Sequence, residues 1–343
     1  MTEELLEKIN GKRTLLKKQL PLKQPFSMSI TVSNVCNLKC EFCDISRKDH
    51  KKNKAFLEFN VLKRCVDSMV KANWHLKQIV LVGLGEPLLN KNIVQYVKYI
   101  KDSNVTDKIH LVTNGTLLPY EISDRLIEAG VDVLRISING LSAEDYMKYT
   151  GVKIDFDKIV DGIKYFYEHK KENTRIYIKI MDYMVDTPEK LERFNKIFTP
   201  ISDVTNIEYL TQMSTSIDYE NHWNINDKKG LKGFDTHKTN ICPLSFYHTY
   251  LNAEGTISAC CIAGPWYTPP ALVMGDLHRQ EIDEIWNGEK FRNFWLKMLR
   301  EGKDCADPVC KKCKAYMSYI YPEDVIDDEA ERIAEDLENN RLK

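Results

Sequence analysis

At 343 residues the chain has room for about two domains, at roughly 150 residues each. A composition of 43% hydrophobic and 29% charged residues is an ordinary globular balance, and a formal net charge of −1 leaves no basic footprint for a nucleic-acid partner. No apolar run approaches the roughly 18 residues of a membrane span, and the N-terminus is acidic where a secretory signal is basic, so the expected setting is cytoplasmic, with no membrane partner.

Residues 1–25 read as a short charged lead-in, broken near Pro21 and Pro25. Strand and helix signals then alternate. Strand-like runs at Ser27–Ser33, Gln78–Val82, Lys108–Thr113, Val131–Ile138, Arg175–Tyr183 and Val204–Leu210 are separated by helical patterns at Phe56–Ala72, Asn90–Ser103, Tyr120–Ala129, Phe156–Glu168 and Pro188–Phe198. Six strands alternating with helices predict an α/β fold with a parallel sheet, open or curled into part of a barrel. Ligands of such folds gather beyond the C-terminal ends of the strands.

The pattern changes after about residue 235. Tyr247–Leu251 and Thr256–Cys260 read as a hairpin closed by the turn Asn252–Gly255. A helical stretch carrying Ile282, Ile285, Phe291, Phe294 and Met298 follows, interrupted at Asn287 and Gly288. Then come a cysteine-bearing loop and an acidic amphipathic helix with Ile326, Ala330, Ile333 and Leu337 on one face.

Ten cysteines are many for a chain of this kind. All but Cys65 cluster towards the two ends, which suits reduced metal ligands better than disulfides. Cys65 falls in an apolar helical pattern with Leu62, Val66, Met69 and Val70, and is expected as a small buried hydrophobe. Cys36, Cys40 and Cys43 begin where the first strand ends. A structural zinc wants four closed ligands, and the nearest histidine is His50. A four-iron cluster held by three thiolates keeps one iron open.

This Cys-x3-Cys-x2-Cys spacing, with Phe42 just before the third cysteine, resembles the defining motif of the radical S-adenosylmethionine (SAM) enzymes. The resemblance implies a partial (β/α)6 TIM-like barrel and a [4Fe–4S] cluster whose open iron chelates SAM. It also implies reductive cleavage of SAM to a 5′-deoxyadenosyl radical that abstracts a substrate hydrogen, with a low-potential electron donor such as flavodoxin or ferredoxin. Gly83-Leu-Gly85-Glu86-Pro87 is similar to the family's glycine-glycine-glutamate segment, with Leu84 in place of one glycine; Gly85 and Glu86 would hold the SAM ammonium. Thr113-Asn114-Gly115 and Arg135–Gly140 resemble segments that contact SAM, through Ser137 at a ribose hydroxyl and through Asn114. A plain Asn-Gly turn is the other reading of the former. Lys179 would pair with the SAM carboxylate or stand as a solvated strand lysine.

Cys242, with Gly255 and Cys260 downstream, resembles the opening of the SPASM extension. Only Cys310-x2-Cys313 follows, which points to the shorter, one-cluster twitch version: a β-hairpin plus helix, then the C-terminal helix. Cys242, Cys260, Cys310 and Cys313 would then hold one auxiliary [4Fe–4S] cluster, with a structural zinc as the alternative. Cys261 points to the opposite side from Cys260 and would donate a hydrogen atom or be a buried thiol. Cys305 is a spare thiol or an alternative to Cys310. The implied organisation is a lead-in at 1–25, a core at 26–235, an auxiliary-cluster domain at 236–320 and an acidic helix at 321–343.

The implied function is oxidation or epimerisation of a small polar or carbohydrate substrate. The first cluster starts at Cys36, which leaves little room for a peptide-leader-binding domain. A peptide- or protein-modifying enzyme, and a non-enzymatic electron-transfer or sensor protein, remain alternatives.

Overall fold

The structure is a computed structural model that describes residues 13–43, 55–212, 217–219, 223, 225, 228–260 and 270–343. Six parallel strands form its frame: β1 (Ser27–Thr31), β2 (Gln78–Val82), β3 (Ile109–Thr113), β4 (Val133–Ile138), β5 (Arg175–Met181) and β6 (Val204–Glu208). Each pairs in parallel with the next. The expected α/β barrel-like core is therefore present.

Alternation along the strands decides what faces where. On β4, Leu134 and Ile136 are fully buried on the outer face, while Arg135 and Ser137 line an internal cavity. On β5, Ile176 and Ile178 are fully buried and Lys179 lines the cavity. Side chains of a strand alternate between faces, so the sheet is apolar towards its helices, while polar side chains stand among valines such as Val80, Val82 and Val112 within. Each fully buried Leu or Ile contributes about 1.5–3 kcal/mol. The polar side chains within forgo that gain, which marks them as serving something other than stability.

The outer layer is α1 (Leu16–Gln19), α2 (Phe59–Lys71), α3 (Ile93–Ser103), α4 (Tyr120–Ala129), α5 (Ala143–Thr150), α6 (Phe156–His169) and α7 (Pro188–Phe198). On α2, Val61, Leu62, Cys65, Val66 and Met69 turn inwards at helical spacing, and Cys65 is fully buried as expected. Val70 lies off that stripe and is exposed. The helix starts three residues later than Phe56, because Phe56 bridges Ser33 instead. Helix α5 was not foreseen. Its signals are nonetheless in the sequence: Ser142 accepts from Asp145 N at 3.1 Å as N-cap, and Gly151 closes the C-terminus at φ 62°.

The expected hairpin is present as β7 (His248–Leu251) and β8 (Thr256–Ser258), extended by an unforeseen β9 (Val273–Asp276). It does not stand apart from the core. β7 pairs in parallel with β1, giving one nine-stranded sheet in the order β6-β5-β4-β3-β2-β1-β7-β8-β9. Beyond it lie α8 (Ile282–Trp286), α9 (Glu289–Glu301), α10 (Lys303–Ala306), α11 (Pro308–Lys312), α12 (Ala315–Tyr319) and α13 (Ala330–Glu338). Trp286, Phe291 and Trp295 pack ring on ring at 4.9–5.0 Å, and the Trp286 indole donates to Leu22 O at 3.1 Å.

Lead-in and C-terminus meet. Lys23 N donates to Lys343 O at 2.9 Å, and Lys343 N to Pro21 O at 2.8 Å. Arg13 Nη1 donates to both carboxylate oxygens of Asp324, at 2.7 and 2.9 Å, and the guanidinium lies over the Tyr321 ring. Ile333 and Leu337 are buried on α13 as expected, whereas Ile326 is buried in the turn before it. Among the described residues, no helix is long and apolar enough to cross a membrane.

Candidate active site

The first cysteine loop leaves β1 and is held from three sides. From β2, Gly85 N donates to Ser33 O at 2.9 Å and Glu86 N to Val35 O at 2.8 Å. From α5, the terminal carbonyls of Tyr149 and Thr150 accept from Glu41 N and Lys39 N at 3.1 and 3.0 Å. From β3 and β4, Asn114 Nδ2 lies 3.9 Å from Cys36 Sγ, and the Cys40 thiol lies 3.8 Å from Asn139 Oδ1. Cys36, Cys40 and Cys43 all line the cavity. Burial, then the charges of Cys43 and Cys36, push the Cys40 thiol well above its ordinary value. Crowded thiolates of this kind suit a cationic iron centre, which supplies the missing counter-charge.

Gly85 has a reason the sequence reading did not anticipate. A Cβ there would fall 2.0 Å from Val35 O, so the glycine admits the cysteine loop's own backbone. Glu86 stands at the same turn. Its buried carboxylate accepts from Leu88 N (3.0 Å), Thr113 Oγ1 (2.6 Å) and Asn114 N (2.7 Å). Burial raises its pKa against the pull of those three bonds. Glu86 thus ties the end of β2 to the end of β3.

Asn114 reaches towards the cysteine loop, donating to Asn37 Oδ1 at 2.9 Å. Ser137 lines the cavity. Phe42 meets Tyr183 edge-on at 6.4 Å, and its carbonyl accepts from Tyr219 Oη at 2.8 Å. Lys179 is not a solvated lysine. It faces the cavity and pairs with Glu208 of β6 at 2.7 Å.

The second cysteine set comes together from distant segments. Cys242 precedes a 3-10 turn (Leu244–Phe246), Cys260 follows β8, Cys310 lies in α11 and Cys313 caps it. Burial first, then Cys260, Cys313 and Cys310, push the Cys242 thiol well above its ordinary value. Cys310 is pushed up to about 12 by burial, then by Cys260, Asp307 and Cys313. The four thiols are thus near enough for each to feel the others' charge. Cys305 is exposed, and Cys261 lies outside the described residues.

One cavity of about 690 Å³ reaches both sets: Cys36, Cys40 and Cys43 line it, and so does Cys260. Its wall includes residues that sequence reasoning missed, among them Arg135, Glu208, Lys232 and His248. The signal for the strand residues was polar side chains at every second position of otherwise apolar strands. His248 accepts or donates one hydrogen bond with Ser27 Oγ at 2.7 Å, and burial lowers its pKa to about 4.

Comparison with known proteins agrees with this geometry. Residues 30–196 match the radical SAM superfamily, and residues 242–314 match SPASM, an iron–sulfur cluster-binding domain. A probable GTP 3′,8-cyclase of Saccharolobus islandicus is 31% identical over 137 residues, 40% of this chain and 42% of that protein's length. The crystal structure of BtrN in complex with AdoMet and 2-DOIA covers 88% of this chain and 99% of its own, with TM-score 0.53 and 18% identity. Native anSMEcpe with bound AdoMet covers 93% and 98%, with TM-score 0.57 and 16% identity. At these identities the structural likeness is one of fold.

Proposed function

Because this chain belongs to the radical SAM superfamily and carries a SPASM-type iron–sulfur domain, we propose that it abstracts a hydrogen from a small polar or carbohydrate substrate held inside the barrel and then oxidises or epimerises it. The observation that carries this reading is the cavity, of mixed polar and apolar lining, that reaches Cys36, Cys40 and Cys43 on one side and Cys260 on another. When bound, the reduced [4Fe–4S] cluster supplies one electron that cleaves SAM, yielding the 5′-deoxyadenosyl radical that takes the hydrogen.

The chain's own residues supply the rest. Cys36, Cys40 and Cys43 hold the SAM-binding cluster, and Asn114 and Ser137 orient SAM beside it. Glu86 acts by positioning, since its hydrogen bonds fix the Thr113–Asn114 turn against the cysteine loop. Cys242, Cys260, Cys310 and Cys313 would hold the auxiliary cluster, which would supply an electron acceptor for an oxidation; of these, Cys260 lines the cavity. Cys261, beside Cys260 in sequence, is the thiol for hydrogen return in an epimerisation. The core spans 26–235 and the auxiliary domain 236–320, and a flavodoxin- or ferredoxin-like protein delivers the electron.

The test is anaerobic incubation of reconstituted protein with SAM, a strong reductant and candidate sugars and peptides. Release of 5′-deoxyadenosine, with deuterium transferred into it from one labelled candidate, is the expected result. Absence of 5′-deoxyadenosine from protein carrying about eight irons per chain would sink the enzymatic reading. About four irons plus zinc would instead assign the second set to zinc.

A further inference from the structure

The inner wall of the barrel carries an imbalance of charge that the chemistry above does not use. Arg135 of β4, Lys179 of β5 and Lys232 line the cavity beside one carboxylate, Glu208. Arg13 is neutralised by its ion-pair partner Asp324. Glu86 is engaged by protein donors beside the first cysteine loop. Glu208 pairs with Lys179 at 2.7 Å and also accepts from Tyr177 Oη at 3.4 Å, so a single carboxylate is shared within this cationic wall. Arg135 and Lys232 both lie near the Tyr177 ring, 5.8 and 6.0 Å from its centre.

Lys232 is brought in by a built loop. Tyr209 N donates to Leu231 O at 2.9 Å, Leu231 N donates to Ser318 O at 3.1 Å, and Gly233 turns the chain at φ 84°. Fully buried His110 pairs in register with the cavity-lining Val80, and neither of its ring nitrogens has a hydrogen-bond partner among the described residues.

We propose that Arg135 and Lys232, with Lys179 beside them, form a subsite for an anionic group of the substrate, a phosphate or a carboxylate. The inference rests on the functional reading above and narrows its substrate class to small polar molecules bearing such a group. The subsite is separate from the place assigned to SAM. Arg135 precedes Ser137 by two residues, about 6.6 Å deeper along the strand. Burial and the neighbouring Arg135 lower the pKa of Lys232 to about 7, a penalty that an anion between them would relieve. A guanidinium suits both candidate groups, because its forked donors match two oxygens of either.

The experiment titrates the reconstituted protein, saturated with SAM, with sulfate, pyrophosphate and succinate by calorimetry under anaerobic conditions. Saturation with SAM removes competition from the SAM carboxylate. One-to-one binding of at least one probe is expected, weakened about tenfold or more in Arg135→Gln and in Lys232→Gln. Lys232→Arg should retain binding to within about threefold, since it keeps the charge. Binding of sulfate or pyrophosphate assigns the subsite to phosphate, and binding of succinate alone assigns it to carboxylate. No saturable binding, or binding that both glutamine variants leave unchanged, overturns the subsite. Thermal unfolding reports whether each variant folds; if Arg135→Gln does not, the Lys232 pair decides. Release of 5′-deoxyadenosine by the wild type is measured in parallel. Release without probe binding overturns the anionic subsite alone, and probe binding without release overturns the radical reading alone.

Discussion

The two cysteine sets are built in opposite ways. The first spans eight residues of one loop and owes its shape to neighbours that touch its backbone: the β2 turn, the end of α5, and asparagines at the ends of β3 and β4. The second gathers thiols from three places in the chain, between residues 242 and 313, and owes its existence to the packing that brings them together. A local set can be shaped finely by small contacts. A non-local set stands or falls with the fold around it.

That contrast can be broken most sharply at the cysteines themselves. Cys36→Ala is expected to reduce SAM cleavage to background while the chain keeps about four irons. Cys310→Ala is expected to do the converse, retaining cleavage and the first cluster. Iron analysis, electron paramagnetic resonance and 5′-deoxyadenosine release separate the two, and loss of both clusters in either variant would mean that the sets are not independent.

Gly85→Ala tests the close fit of the first loop. With Val35 O 2.0 Å from the new methyl group, the loop must shift. A loss of about 1–3 kcal/mol in stability is expected, together with weaker SAM binding. Calorimetric titration with SAM and chemical denaturation measure both, and unchanged SAM affinity would show that the loop tolerates the displacement.

Acid probes the seam between the two regions. His248 of β7 bonds Ser27 of β1 and is held neutral by burial, and His110 is held neutral by burial and nearby cations. Both folded pKa values lie below the unfolded value of about 6.5. Above that pH neither state takes up a proton at these sites. Below it the unfolded chain binds protons that the folded chain refuses, so stability falls as pH drops from about 6.5 towards 4. His248 alone should account for up to about 3 kcal/mol of this loss by denaturant titration, and that share should disappear in His248→Gln.

The smallest effects separate the regions again. Ser142 caps α5 beside the first loop, and Asp307 caps α11 beside the second set, accepting from Val309 N at 2.8 Å. Replacing either with alanine should cost about 1 kcal/mol. Ser142→Ala should alter the spectrum of the SAM-binding cluster, and Asp307→Ala that of the auxiliary cluster.

How much was legible in the sequence follows the same division. The Cys36–Cys43 spacing could be read directly because its meaning is local, and the six strands could be read because each is an apolar run between turn signals. The wall of the cavity could not. Arg135, Lys179 and Glu208 gain their meaning only when β4, β5 and β6 stand side by side, and in the sequence Lys179 looks like any strand lysine. Gly85 and Glu86 were legible as special positions, but not for their actual contacts, since Val35 and Thr113 approach them only through the sheet. The cap residues around α5 were present and informative, but an eight-residue helix gives too short an apolar stripe to stand out.

The pairing of β1 with β7 carries a consequence for how the chain reaches its folded state. Ser27 meets His248 at a sequence separation of 221 residues. Until that strand arrives, one side of β1 is an open row of amide and carbonyl groups, the kind of edge that recruits other chains. The barrel is thus committed early but sealed late. Loss of the second half should therefore appear first as aggregation of the first half, before any question of catalysis arises.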